Sequence, residues 1–230
     1  MSNQKNIISK SNESGSEGAT PTQIYLLNCL EICTIIFRGF RSNDNKDECR
    51  AVLEDGLPAL ASPSENAVQP LTKLATAILD SIDNSCSQEE ICVRLETDYV
   101  NLFINNIRGI TAPLYESCYE PGSARIMREP ALAMRDKLEQ YGLKPSGILA
   151  TEPPDHLCIE LEYLFVLLIQ AWGSNDSSAE IKALKFGQEM LLWTKLFREK
   201  LGSSSSTNSE KFYTLSADFL IGVLNKIIGE

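Results

Sequence analysis

Apolar residues recur along nearly the whole chain at helical spacing. From Pro21 to Arg41 the residues Ile24, Leu27, Leu30, Cys33 and Phe37 fall along one side of a helix. A second helix is predicted roughly over Asp47 to Leu60, with a break near Gly56 and Pro58. A third covers Ala67 to Ile82 and opens near Pro70, and a fourth spans Gln88 to Ile107. Glu89 and Glu90 occupy its first turn, and Ser85 or Ser87 is placed to cap it. An irregular stretch, Asn105 to Pro121, holds Gly109, Pro113 and Pro121. A fifth helix follows over about Ser123 to Tyr141, ended by Gly142 just past its last turn. Leu143 to Thr151 is a connecting loop, and the sixth helix starts at Pro153 or Pro154 and ends near Gly173. After a turn at Ser174 to Ser177, the seventh helix runs from Ser178 to Leu201. Gly202 to Asn208 reads as a flexible linker, and the last helix covers Ser209 to Ile228.

Strand signals are scarce: no Asn-Gly or Asp-Gly pair is flanked by alternating β-branched residues. The expected fold is therefore all-α, one globular domain of about eight helices over residues 21–230. No fixed-period repeat points to a solenoid. Residues 1–20 are rich in Ser, Asn, Gly and Glu and lack the apolar stretch of a signal peptide, so they read as a disordered tail.

Composition narrows the function. The chain has 230 residues, 43% of them hydrophobic, which is enough for a sizeable core. A net charge of −10 argues against nucleic acid and anionic membranes and favours a basic partner. Seven cysteines, at 29, 33, 49, 86, 92, 118 and 158, are odd in number and irregular in spacing. Most sit within apolar helical patterns, which predicts reduced, buried thiols. Cys29 and Cys33, one helical turn apart, are the one metal-site candidate, but no second Cys or His pair has zinc spacing. The apolar run from Leu161 to Trp172 is too short for a membrane span and is interrupted by Glu162 and Gln170. A soluble, cytoplasmic protein without stable membrane insertion is expected.

Catalytic motifs do not assemble. One histidine, His156, cannot supply the two Glu-x-x-His elements of a di-iron bundle. There is no nucleophile elbow, P-loop or G-x-G-x-x-G. No enzyme activity and no cofactor are expected. Candidate chemistry concentrates in two stretches. The first is Glu152 to Phe165, where Pro154 suits a first helical turn and Asp155 suits the positive end of a helix dipole. His156 and Glu160 are four apart and could pair, either as a detail of the helix start or as part of an Asp155, His156, Glu160 patch for a cationic ligand. The second stretch places Tyr99 and Phe103 one turn apart and then displays Tyr115, Glu116 and Tyr119 on the Pro113 loop. Such aromatics either fill the core or line a groove for a peptide.

Taken together, these stretches resemble the TorD-like family of cytoplasmic redox-enzyme maturation chaperones, which includes the DmsD and NarJ relatives. The family pattern appears as Tyr99 to Phe103, then Pro113 with Glu116-Ser117-Cys118-Tyr119, then a helix ending at Tyr141-Gly142, then Glu152 to Leu161. The match covers roughly Gln88 to the C-terminus, with the Asp-His segment its most specific part. Ala112-Pro113-Leu114-Tyr115 departs from the family's usual Pro-Pro-Trp, which leaves the subfamily and client open. The resemblance implies a system-specific chaperone that binds the catalytic subunit of a molybdenum-containing or iron–sulfur oxidoreductase. It also implies binding of that client's twin-arginine signal peptide and help with cofactor insertion and assembly before export. On that reading Asp155 and Glu116 face the arginines, and His156 orients Asp155 or meets the peptide backbone. Tyr99, Phe103, Pro113 and Tyr119 line an apolar groove, while Glu152 and Pro154 shape the helix mouth. A monomer or a helix-swapped homodimer is implied, with hinges at Gly202 to Asn208 or Leu143 to Thr151. The other reading of the residues is a helical protein that binds a small molecule or nucleotide.

Overall fold

The computed structural model describes residues 18–40, 46–83, 85–106, 109–121, 126–174, 176–202 and 208–229. Most of the predicted tail (1–17) and the centre of the predicted linker (203–207) lie outside the described residues. Helix α1 is Pro21–Arg38, α2 Lys46–Ala51, α3 Leu57–Ala61, α4 Gln69–Asp80 and α5 Gln88–Tyr99. Helix α6 is Glu129–Gln140, α7 Leu157–Ser174, α8 Ser177–Gly202 and α9 Asn208–Ile228. No strand occurs among the described residues, and the predicted all-α class holds.

Local chemistry sets most boundaries. Thr20 caps α1: its hydroxyl accepts the Gln23 N–H, and Gln23 Oε1 accepts the Thr20 N–H at 2.7 Å. Ser87 and Glu90 make the same reciprocal cap on α5. The expected break near Gly56 and Pro58 does not occur. A π turn at Val52–Gly56 joins α2 to α3 without leaving helical backbone, and Pro58 follows directly on this widened turn. A second π turn, Val100–Ile104, extends α5. Gly142, at φ 64°, closes α6, with the Leu143 N–H donating to Leu138 O at 2.9 Å.

The core is one continuous apolar cluster. Helix α7 packs between α1 and α8, and α9 packs against α1, α4, α5 and α8. Helix α7 is 18 residues long with a mean hydropathy of 1.4, so in length and composition it could cross a bilayer. The helix is longer than the Leu161 to Trp172 run expected from the sequence, because Leu157 to Glu160 and Gly173 to Ser174 belong to it. Here both flanking helices cover it, and 61% of it is buried within the protein.

The aromatic residues expected at a groove lie deeper. Tyr99 is fully buried and Phe103 is 1% exposed. Their rings pack edge to face at 5.1 Å, and Phe103 reaches Tyr213 of α9 at 5.3 Å. The Tyr99 hydroxyl donates to Phe37 O at 3.0 Å. In this conformation both residues belong to the core beneath the candidate site, not to its surface.

The thiols also depart from expectation. Cys49 of α2 and Cys92 of α5 form a disulfide across 43 residues, because α2 lies along α5 with the two Cα atoms 6.2 Å apart. Cys29, Cys33, Cys118 and Cys158 are free and buried, and Cys86 is free and half-buried. Burial pushes the Cys29 thiol up to about 12 and raises Cys33 as well, the reverse of what a thiolate metal ligand needs. Among the described residues no group of three or more His, Cys, Asp or Glu is arranged to hold a metal ion.

Gly39 ends α1 at φ 82° and ψ 160°, a region open only to glycine. A Cβ there would lie 2.7 Å from the Tyr99 ring. Gly39→Ala is expected to destabilise the fold by about 3 kcal/mol or more, through backbone strain plus overpacking. Tyr99→Phe, which removes only the buried hydroxyl, should cost about 1 kcal/mol. Urea unfolding of the two variants checks the order.

Candidate functional site

The two stretches singled out in the sequence meet directly. Residues 114–117 and 155–157 run antiparallel and pair at Tyr115 and His156. Glu116 N–H donates to Asp155 O at 3.1 Å, and Leu157 N–H donates to Leu114 O at 2.8 Å. Around this bridge, Tyr115 meets the His156 ring edge-on at 5.3 Å, and its hydroxyl donates to Glu152 Oε2 at 2.7 Å.

Helix α7 starts at Leu157, later than the prolines suggest. Pro153 and Pro154 belong to the turn before it, so Asp155 is not a first-turn acid. His156 serves the helix start instead: its Nδ1 accepts the Cys158 N–H at 3.1 Å, which identifies Nδ1 as the unprotonated nitrogen. The Cys158 thiol points away toward Thr34 O at 3.6 Å.

Asp155 is fully buried. Its Oδ2 accepts the Ser117 N–H at 2.9 Å and the Ser117 hydroxyl in a short hydrogen bond. Ser117 Oγ in turn accepts the Arg128 N–H at 3.3 Å, so Asp155 fixes both the 3₁₀ turn Glu116–Tyr119 and the approach to α6. Asp155 Oδ1 is buried and takes no donor among the described residues.

Beside it lies Glu160, on the first turn of α7 and 1% exposed. Its Oε2 accepts the indole N–H of Trp193, from α8, at 3.0 Å. Its Oε1, like Asp155 Oδ1, is buried and takes no donor among the described residues. The Glu116 carboxyl lies against Glu160, and a hydrogen bond between two carboxyl groups needs a proton on one of them. Burial, then the Glu116 charge, pushes Glu160 well above the usual carboxylate range. Glu116, half-buried, is raised too, mainly by burial. The nearby Lys137 draws Glu116 back, but its ammonium is held by Glu189 at 2.8 Å and sits 4.6 Å over the Phe186 ring.

Glu116, Tyr119, Pro113, Glu152 and Pro154 are all partly exposed around this buried acid cluster. The Tyr119 hydroxyl donates to Pro113 O at 2.7 Å, and its ring packs 5.5 Å from Trp193 with Lys200 above it at 4.8 Å. Of the residues named from sequence, Asp155, His156, Glu116, Glu152, Pro113, Pro154 and Tyr119 gather at one place, and Tyr99 and Phe103 lie behind them. Ser117 and Trp193 are the residues that sequence reasoning did not single out. Ser117 stood inside the Glu-Ser pattern as a signal, whereas nothing in the sequence around Trp193 marks its partner 33 residues away.

Two outcomes follow from this geometry. Asp155→Ala leaves the buried Ser117 N–H and hydroxyl without their acceptor and should cost about 3 kcal/mol, with faster hydrogen exchange at the Ser117 amide. Burial and the neighbouring Glu116 raise Glu160 in the folded protein above the value it has in the unfolded chain, so between the two values folding takes up a proton. Its contribution is full below the unfolded value and is lost as pH rises toward the folded one. Urea melts across that range should show stability falling with pH, with a flatter slope in Glu160→Gln.

Comparison with known proteins matches this site region. The family model described as nitrate reductase delta subunit matches residues 58–199, more than half of the chain. The chaperone protein TorD of Aliivibrio salmonicida is 25% identical over 162 residues, covering 67% of this chain and 72% of that protein. The chaperone protein TorD of Photobacterium profundum is 29% identical over 150 residues, covering 63% and 67%. A solved structure from Archaeoglobus fulgidus, described as a redox enzyme maturation protein, aligns over 89% of this chain and 94% of its own at 20% identity, with a TM-score of 0.49. The chain therefore belongs to the nitrate reductase delta subunit family, the TorD-like maturation chaperones, a family of chaperones rather than catalysts.

Proposed function

We propose that this protein is a cytoplasmic chaperone for one oxidoreductase subunit that carries a molybdenum or iron–sulfur cofactor. It binds the client together with a twin-arginine signal peptide and holds it through cofactor insertion and assembly, before export. The observation that carries the reading is the trio Glu116, Asp155 and Glu160, with two buried acceptor oxygens that no donor of the described residues meets. A guanidinium has five N–H donors in a rigid fork and is the side chain best matched to such acceptors. The partly exposed Tyr119 and Pro113 beside the trio, backed by the buried Trp193, suit the apolar run that follows the arginines. The overall charge of −10 would speed the approach of a basic peptide. His156 acts through position: by capping α7 it holds Asp155 and Glu160 in register.

The test is binding of a synthetic peptide with two adjacent arginines followed by an apolar run, followed by fluorescence anisotropy. Asp155→Asn and Glu116→Gln should each weaken binding about 10-fold or more, with a shallower salt dependence. Asp47→Asn, which removes the same charge from the exposed face of α2, should leave affinity within about twofold. In lysate, tagged protein should retain one oxidoreductase subunit and lose it with Asp155→Asn. Equal weakening by Asp47→Asn would reduce the interaction to bulk charge and sink the site assignment.

A further inference from the structure

The Glu116–Glu160 contact has a consequence for how a cation could enter. Glu160 is sealed at 1% exposure, with one oxygen on the Trp193 indole and the other buried without a donor among the described residues. Two ionised carboxylates cannot stay in contact there, because an unpaired buried charge costs several kcal/mol. The groups facing the pair do not remove the conflict. The segment before α7 presents Asp155, another acid. Helix α8 presents Glu189, also an acid, and Trp193, a neutral donor already engaged. Helix α6 presents Lys137, which is bound to Glu189 at 2.8 Å. On the outer side of the 3₁₀ turn, Lys200 of α8 sits over the Tyr119 ring at 4.8 Å and Arg128 pairs with Glu120 at 3.4 Å. Helix α1 also packs on α7, but its Arg38 is held by both oxygens of Glu48 at 3.1 Å. His156, at the start of α7, gives its Nδ1 to the Cys158 amide.

We infer that the Glu116–Glu160 pair holds one shared proton in the empty chaperone and releases it when an arginine of the client enters, so that client binding is coupled to proton release. The inference rests on the arginine-binding reading above and adds Glu160 to it as the residue that sets the coupling. The exchange balances: one proton leaves to solvent, one guanidinium replaces it, and the acceptor oxygen that had carried the proton takes a guanidinium N–H. The raised affinity of Glu160 for protons, caused first by burial and then by Glu116, has the sign this exchange needs. Affinity for the arginine peptide therefore rises with pH until the empty pair is itself ionised, and then levels off.

The same diarginine peptide tests this by titration calorimetry at about pH 6, 7 and 8, in buffers of different ionisation enthalpy. The expected result is release of about one proton per peptide at the lowest pH, with affinity rising up to ~10-fold per pH unit. Glu160→Gln keeps an oxygen for the Trp193 indole and supplies an amide donor to Glu116. It should bind more weakly, with no proton release and an affinity independent of pH. Should that variant fail to fold, Glu116→Gln, on the partly exposed partner, must also abolish the release. The carbon-13 shift of the Glu160 side-chain carboxyl, followed against pH without peptide, should report the acid form at neutral pH. Peptide binding that is tight but releases no proton, or a Glu160 carboxyl already ionised at neutral pH, overturns the coupling and leaves the arginine reading standing. Failure of the folded protein to bind the peptide at any pH overturns that reading and the coupling with it.

Discussion

The pair of hydrogen bonds from Ser117 to Asp155 is the constraint on which the rest of the site depends. The loop after α5 and the turn before α7 share no regular secondary structure, only one antiparallel bridge at Tyr115 and His156. A single bridge closes a loop of about forty residues against an entropy cost of several kcal/mol. It holds because its centre is a buried pair of hydrogen bonds from Ser117 to one carboxyl oxygen, which cost more to lose than an exposed pair. Once Asp155 grips Ser117, Glu116 has one place to go, against the first turn of α7, where Glu160 already stands. His156 completes the arrangement by capping α7 with its ring, so the helix cannot start early and rotate Glu160 away.

That arrangement is unfavourable to the fold taken alone. Acids packed together, with buried oxygens lacking donors, lower stability by amounts a protein of this size can ill spare. The surroundings offset the cost. Helix α7 is apolar on nearly every side and lies between α1 and α8, and the edge-to-face packing of Phe37, Tyr99, Phe103, Phe197 and Tyr213 ties α1, α5, α8 and α9 together. Tyr99 and Phe103 serve the site from behind, as part of the rigid floor under Tyr119 and Trp193. Acceptors fixed in this way would lose little freedom on taking a ligand, which is the main reason preorganised sites bind well.

Much of this was legible in the sequence. Each predicted helical run from Pro21 onward has a counterpart, with α2, the π turn and α3 making up the second. Gly142 and Ser87 were readable as a stop and a cap because those signals are local. The Asp-His and Glu-Ser stretches were readable through their resemblance to a family. What was hidden depends on contacts distant in sequence. The start of α7 is set by the bridge to Tyr115, so Pro154, a good first-turn residue by propensity, was overruled. Periodicity shows which side of α5 Tyr99 and Phe103 face, but not that α9 covers that side. The Cys49–Cys92 pairing, 43 residues apart, and the Glu160–Trp193 hydrogen bond, 33 apart, leave no local trace.

Trp193 joins the acid cluster to the apolar core. Its ring packs at 5.5 Å on Tyr119 and at 6.2 Å on Phe197, which in turn packs on Phe37 and Phe103 in the core. Its one polar atom ends on Glu160. The indole is therefore the point where the apolar core meets the acid cluster, and its N–H is a donor that satisfies half of a buried carboxyl without adding charge. A lysine or arginine in its place would neutralise Glu160 from within and occupy the acceptor oxygens. A neutral donor instead leaves one oxygen of Glu160 without a donor among the described residues, which is the condition that the proposed arginine binding requires.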